Sequence, residues 1–502
     1  MNGDAEGRAF ELLVLGSGPA GIGAAVEASR CGVETVILDE QPVAGGQIYR
    51  ALSDALKVRD AAALGEDYAT GTGLRAELAE SNVEGAFGEK VWFAAPGFRI
   101  ESVGSGGVRR WQSKALISAT GTSERVIPVP GWTTPGVIGL AAATVLLKAQ
   151  QMVPGETTVV AGCGPLVTAV TASILKGGGR VAAMVDVASR GDWLGALPSL
   201  LRRPDLLKRG MEWQRLIRKA GVPVLYRHAV TEVRGEGGVR EVVVRPVDSD
   251  WRPQGAERVF EADAVALGHG LVPGTEVTRL LRAEHKFVDN RGGWIVERDG
   301  DYRTTVDGLY VAGDGCGISG GAAAEIEGRI AGLTAALDLG KVDRAAYDKR
   351  AAPLRQDLGR AESVGIRMSH MMTPRPGILD TITADTVVCR CEDVTRGEIE
   401  ATLEAGAFEV NQLKSWTRCG MGPCQGRMCG DTTARLVADK VGGREKAGSW
   451  TARVPIRPVA LDDLTSDLTY EEIWDSPVAK LAAKILPPEN VSHPSRVRRQ
   501  EE

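Results

Sequence analysis

Residues that usually announce a reaction are scarce in this 502-residue chain: it has five histidines, eight cysteines and only 5 % aromatics. His228, His269, His285, His370 and His493 stand far apart, so they read as surface or turn residues rather than a catalytic or metal centre. No block of lysine and arginine stands out and the formal net charge is −5, which argues against a nucleic-acid partner. No apolar run approaches the roughly 20 residues that a transmembrane helix needs. The opening residues MNGDAEGRAF are acidic and polar, unlike a signal peptide. The expectation is a cytoplasmic protein without a transmembrane segment, at most peripheral to the inner membrane. Its cysteines should then be reduced thiols or metal ligands, not a disulfide framework.

What is abundant is glycine, 63 residues of it, placed in discrete loops between β-branched runs and alanine-rich segments. That punctuation indicates α/β architecture, and the length allows about three domains. The stretch FELLVLGSGPAGIGAAVEASRCGVETVILDE begins with a buried-strand run, Leu12 to Leu15, followed by Gly16, Gly18 and Gly21 in G-x-G-x-x-G spacing. Pro19 and Ala20 open an alanine-rich helix, and a second strand, Thr35 to Leu38, ends in Asp39 and Glu40. Gly16 permits the tight turn, Gly18 lets backbone approach a pyrophosphate, and Gly21 lets helix pack on strand. The helix N-terminus favours phosphate, and Asp39, with Glu40 as the alternative, suits a ribose hydroxyl.

Here the chain resembles the two-dinucleotide-fold flavoproteins of the glutathione-reductase-like superfamily. AGGQIYR carries Gly45, Gly46 and Gln47, ALISATGTSERVIPVPGW carries Ala119, Thr120 and Gly121, and GLYVAGD carries Gly313 and Asp314. The resemblance implies that these elements hold FAD, with Asp314 at the ribityl chain and a helix over Gly320 to Leu333 pointing at the flavin.

A second loop, TTVVAGCGPLVTAVTASILKGGGRVAAMVD, repeats the plan with strand Thr158 to Ala161, Gly162, Gly164 and a terminal Asp186. Val167 stands where the third glycine belongs and should hold the helix off the strand. In the family this is the NAD(P) domain, and Asp186 would suit a free 2′-hydroxyl. A working nucleotide site and an inherited scaffold are equally compatible with these residues, so the second nucleotide stays open. Cys31, Cys163 and Cys316 are isolated and read as packing residues, which disfavours thiol chemistry beside the flavin.

The other five cysteines crowd into CRCEDVTRGEIEATLEAGAFEVNQLKSWTRCGMGPCQGRMCG: Cys389-x-Cys391, then 32 residues, then Cys424-x4-Cys429, with Cys419 besides. Thr395 and Glu398 form a capping-box pattern that predicts a helix, and a second helix is expected over Phe408 to Trp416. Glycines around Cys424 can turn N–H groups toward sulfur, and Arg390, Arg418 and Arg427 can offset negative charge. Structural zinc prefers C-x2–4-C knuckles, which C-x-C does not match. Spacing alone does not exclude Cys419. This stretch resembles the [2Fe–2S] domain of the bacterioferritin-associated ferredoxin type, and that resemblance implies Cys389, Cys391, Cys424 and Cys429 as ligands and Cys419 as a bystander.

The expected fold is α/β: two interleaved Rossmann-like domains plus a small helical [2Fe–2S] domain. FAD-binding residues 1–150 and 290–345 enclose an NAD(P)-binding-like unit, 151–289. A linker, 346–385, the cluster domain, 386–440, and a C-terminal tail, 441–502, follow. In the tail RVPIRPVA reads as extended and LTYEEIWDSPVAKLAAKIL as helical. The order resembles the α (A) subunits of hetero-oligomeric amino-acid and opine dehydrogenases. That resemblance implies an electron-transfer subunit beside an FAD-containing catalytic β subunit. It further allows an FMN at a subunit interface, a small third subunit, a first site holding another adenine nucleotide, and a quinone or other carrier as acceptor. No carboxylate clamp with a neighbouring base is recognisable, so no catalytic residue is assigned. The rivals are a stand-alone NAD(P)H-dependent reductase and a non-catalytic scaffold.

Overall fold

The computed structural model describes residues 9–53, 55–56 and 65–465. The run LLVL lies inside strand β1 (Ala9–Leu15), whose residues 12–14 are wholly buried because both faces of the sheet are covered. Helix α1 (Pro19–Arg30) returns the chain to β2 (Thr35–Asp39), parallel to β1. The long strand β3 (Gly107–Ser118) lies on the other side of β1, also parallel, so the strand order reverses between β1 and β3. Ligands in such sheets bind beyond the carboxyl ends of the strands at that reversal. An antiparallel pair, 90–95 and 99–104, extends this sheet.

The second unit repeats the plan. Strand β4 (Thr157–Gly162), helix α2 (Pro165–Lys176) and β5 (Arg180–Asp186) form its βαβ, and β6 (Ala264–Gly268) pairs with β4 in parallel. The chain then re-enters the first sheet, where β7 (Leu309–Val311) pairs with β3. Helix α3 (Gly321–Asp338) packs on α1 almost backbone to backbone. A Cβ at Gly328 would stand 1.9 Å from the Ala20 carbonyl oxygen, and one at Gly332 would stand 2.2 Å from that of Ala24. The alanine and glycine content of both helices is what lets them approach so closely.

The largest departure from expectation is the segment 346–385. It is no linker: 28 residues form helix α4 (Arg344–Met371), and a 3-10 turn covers 376–381. Asp343 caps α4 by accepting the Ala346 N–H at 2.8 Å. The helix buries Tyr347 and Ala351 at one end and Val364, Met368 and Met371 at the other. Its charged sequence hides the pattern, because the apolar positions are widely spaced along one face. Beyond it the cluster domain holds α5 (Arg396–Glu404), α6 (Val410–Thr417) and α7 (Gly430–Val441). The capping box at Thr395 and Glu398 forms as expected. This domain shares one apolar core with the second Rossmann unit, in which Ile127, Val187 and Trp251 pack with Ile378, Val388, Leu413 and Val437. The segment RVPIRPVA runs back toward the first domain, where the Ile456 N–H meets the Trp92 carbonyl. The expected helical tail, LTYEEIWDSPVAKLAAKIL, lies outside the described residues.

Asp431, at the start of α7, ties these parts together. It is buried and ion-paired with Arg125 at 2.7 Å, Arg435 at 2.8 Å and Arg444 at 2.9 Å. Burial alone would raise its pKa, but the three guanidiniums outweigh that and hold the carboxyl well below the usual carboxylate range. A folded-state pKa below the unfolded one gives stability that is present above about pH 4 and lost on acidification toward the folded value. Asp431→Asn is therefore expected to cost about 3–5 kcal/mol in urea unfolding. The deficit should be flat from pH 8 to pH 5.

Candidate functional site

Four separated loops meet at the carboxyl end of the first sheet. Gly16 has φ +98°, and a Cβ there would stand 2.4 Å from the Ala119 carbonyl oxygen, so the glycine loop and the Ala119–Gly121 element touch directly. A Cβ at Gly21 would overlap the Gly16 carbonyl at 1.7 Å. Gly46 abuts the Gly18 Cα, Gly313 abuts Ala20, and Gly315 lies against Gly121. Asp39 accepts the Ser17 N–H at 2.6 Å, the Ser17 hydroxyl at 2.7 Å and the Gln41 N–H at 2.7 Å. Glu40 instead pairs with Arg457 at 3.2 Å on the surface. Gln47 is exposed and accepts from Arg50. Thr120 donates to the Gly274 carbonyl at 2.8 Å. Asp314 faces the start of α3, accepting the N–H groups of Ser319 and Gly320 at 2.8 Å. Pro19 is the first residue of α1, whose N-cap Gly18 supplies no side-chain partner.

Gly18 is the most informative of these residues. Its φ of −71° suits any residue, and a Cβ there would meet nothing closer than 3.8 Å. Neither backbone strain nor packing explains the missing side chain. A pyrophosphate against the helix N-terminus does, so the cradle fits a dinucleotide.

The second loop is arranged differently. Gly162 approaches β6 closely, as a Rossmann turn should. Gly164, however, is covered: a Cβ there would stand 2.6 Å from Cγ and 2.7 Å from Sδ of Met372, just past the end of α4. The Cys163 thiol donates to the Met371 carbonyl at 3.3 Å, and Arg375 reaches Asp192 at 2.8 Å. Asp186 is fully buried and accepts the Ala188 N–H at 2.9 Å and the Trp193 indole N–H at 3.0 Å. Burial pushes its pKa up to about 7. It does not face outward toward a ribose, contrary to expectation. Val167 is accommodated, fully buried among Leu140, Val170 and Met184.

The remaining residues fall in different settings. His269 lies in a loop, as expected, and His285 opens a short strand. His269 is buried and held down at about 4 by desolvation, and the His285 ring bonds Thr278 Oγ1 at 2.9 Å and the Ala283 carbonyl at 2.8 Å. Cys163 and Cys316 are buried, but Cys31 is half-exposed with Arg350 Nη1 3.2 Å from its sulfur.

In the cysteine-rich domain, the short pair Val387–Cys389 and Val394–Thr395 forms a tight loop carrying Cys391. Helix α6 begins two residues later than expected and ends at Arg418, whose φ of +62° turns Cys419 inward. The loop 420–429 follows. Gly420 and Gly430 lie against the Trp450 ring, and Gly422 lies against Cys391. The sulfurs of Cys389, Cys419 and Cys429 lie within 4.8 Å of one another, all buried. Cys391 is exposed and Cys424 partly so. Cys419, expected as a bystander, thus joins the buried sulfur group, while Cys391 and Cys424 hydrogen-bond each other beside it. The thiols of Cys419 and Cys429 and the Gly420 N–H donate to Cys389, holding its pKa far below the usual thiol range. Contacts with Cys389 and Cys419, and then desolvation, raise Cys429. Three buried sulfurs converging this closely fit an iron-bearing group. Arg418 and Arg427 are committed to Glu392 and Glu276 at 2.8 and 2.9 Å, and Arg390 is exposed.

Known proteins agree with this geometry. Residues 10–340 match the pyridine nucleotide-disulphide oxidoreductase family and residues 387–439 the BFD-like [2Fe-2S] binding domain. The A-type subunit of opine oxidase from Rhizobium meliloti is 35 % identical over 91 % of this chain and 98 % of its own length. The HcnB subunit of hydrogen cyanide synthase from Pseudomonas aeruginosa is 34 % identical over 89 % of this chain and 96 % of its own. L-proline dehydrogenase from P. horikoshii shares the fold, with a TM-score of 0.68 at 19 % identity over 92 % of this chain and 81 % of that one. No helix among the described residues is long and apolar enough to cross a membrane. The chain belongs to the family that includes the A-type subunits of opine oxidase and the HcnB subunits of hydrogen cyanide synthase, oxidoreductase subunits that join a pyridine nucleotide-disulphide oxidoreductase domain to a BFD-like [2Fe-2S] domain.

Proposed function

We propose that the chain is the electron-transfer subunit of a complex that oxidises the C–N bond of an amino acid, imino acid or opine. FAD in the first site and a [2Fe–2S] cluster in the cysteine domain are the carriers. A separate FAD-containing β subunit supplies the substrate site. The observation that carries this reading is a contrast between the two glycine loops. Gly18 is open to a ligand, whereas Gly164 lies under Met372 and Asp186 under Trp193. The uncrowded Gly18 supports cofactor binding in the first site, and the covered Gly164 and buried Asp186 speak against a nicotinamide donor in the second. Electrons therefore come from a partner rather than from NAD(P)H.

A flavin accepts an electron pair and an iron–sulfur centre passes electrons singly. The chain's own part is positioning. Gly16 and Gly21 fix the turn, Asp39 presents its carboxylate where a ribose hydroxyl would lie, and the α3 N-terminus directs positive dipole toward the ring. Cys389, Cys391, Cys424 and Cys429 hold the cluster. Cys419, packed 3.3 Å from Thr433 Oγ1, lies behind it as a neighbouring thiol. An FMN at the β interface, a quinone-type acceptor and a small third subunit are compatible with this scheme.

Three measurements test it. Gly18→Val should keep the wild-type circular dichroism yet weaken flavin retention at least about tenfold, equivalent to 1.4 kcal/mol. Serine at Cys389, Cys391, Cys424 or Cys429 should remove the iron and the cluster's share of the visible spectrum of anaerobically prepared protein, leaving the flavin bands, whereas Cys419→Ala should keep two irons per chain. Loss of iron in Cys419→Ala would instead make the buried sulfur trio the ligand set. Finally, the isolated chain should show no amino-acid dehydrogenase activity, and NADH should not bleach its flavin.

A further inference from the structure

A cavity of about 130 Å³, partly open to solvent, lies between the first domain and the cysteine-rich loop. No cysteine lines it, and neither do Gly18, Gly46, Thr120, Gly121 or Asp314, so it is neither the cluster's space nor the flavin's. Its wall carries five arginines, 125, 279, 427, 444 and 453, against two carboxylates, Glu276 and Asp431. Arg427 and Glu276 neutralise each other at 2.9 Å. Asp431 is shared among three guanidiniums, one of which, Arg435, is also held by Asp289 at 3.0 Å. That group keeps one positive charge in excess.

Two arginines remain without a carboxylate partner among the described residues. Arg279 donates only to Thr275 Oγ1 at 2.9 Å and Ser449 Oγ at 2.7 Å, and Arg453 only to the carbonyls of Gly420 and Met421. Desolvation pushes Arg279 down to about 10, with the more distant Glu276 only partly opposing it, as befits a guanidinium lacking a paired counterion. The indole N–H of Trp294 and Nε of Arg444, both on the wall, are buried with no acceptor among the described residues. Every unmet group here is a donor. Leaving such donors dry costs about 1–3 kcal/mol each, and more for charged groups.

We infer that this cavity binds a phosphate-class oxyanion, whose oxygens accept from Arg279, Arg453, Arg444 and Trp294 and clamp the cysteine-rich loop to the first domain. Phosphate fits the surplus better than a monocarboxylate does. It brings up to two negative charges and enough acceptor positions for forked guanidiniums. The anion comes from inorganic phosphate or from the head of a phosphomonoester whose remainder lies outside the cavity.

The inference goes beyond the electron-transfer reading, and its test does not depend on flavin. Cluster-loaded full-length chain is melted in inorganic phosphate, glycerol 1-phosphate, acetate or chloride at matched ionic strength. Inorganic phosphate or the ester should raise the melting temperature in a saturable way, acetate and chloride should not, and the stronger of the first two identifies the source. Titration calorimetry with inorganic phosphate should show about one site per chain, weakened at least about tenfold by Arg279→Met, a loss of 1.4 kcal/mol. Because Arg279 also holds Ser449, Trp294→Phe serves as the second variant. It removes one donor, keeps an aromatic ring, and should weaken binding while the melting temperature in chloride is no lower than that of the wild type. Equal responses to phosphate and chloride would overturn the inference, as would acetate matching phosphate or undiminished binding in both variants.

Discussion

A carboxylate removed from water must be compensated by its neighbours, and Asp431 is the place where this structure meets that demand. Three guanidiniums surround it, one from the first domain's exit strand region and two from the cluster domain itself. Such a group is a weak source of net stability but a strong specifier of arrangement, because any geometry that separates the partners leaves buried charge unmatched. Arg125 also donates to the carbonyls of His269 and Gly292 at 3.2 and 3.0 Å. One side chain therefore registers the end of the second unit's return strand, the turn at Gly292 and α7 at once.

The apolar core follows the same logic. The cysteine-rich domain is too small to bury much surface alone, and it completes its interior by packing on the second Rossmann unit. The Trp132 indole donates to the Val387 carbonyl at 2.7 Å, and Thr432 Oγ1 to the Val126 carbonyl at 2.6 Å. The second dinucleotide-type unit serves as the foundation of the cysteine-rich domain. Met372 over Gly164 and Trp193 on Asp186 belong to the same packing.

Much of this is legible in the sequence. The first glycine loop and its three companion motifs are readable because most of their glycines meet a local steric demand, Gly18 apart, and those demands survive in the spacing of the residues. The capping box at Thr395 is readable for the same reason. Three things are not. Helix α4 is disguised by its charged exposed faces, its apolar contacts being few and far apart along 28 residues. The closure of the second loop depends on a segment more than 200 residues downstream, which no local pattern records. The position of Cys419 depends on a left-handed Arg418, a conformation not announced by an arginine.

The shared interior has a further consequence. An iron–sulfur module carried on a tether could shuttle between donor and acceptor. Here the module's floor is the neighbouring unit's ceiling, and swinging it away would expose Trp251, Val388 and Leu413 to water. The spacing between the first nucleotide site and the cysteine-rich domain is thus a dimension set by packing rather than by a swinging arm.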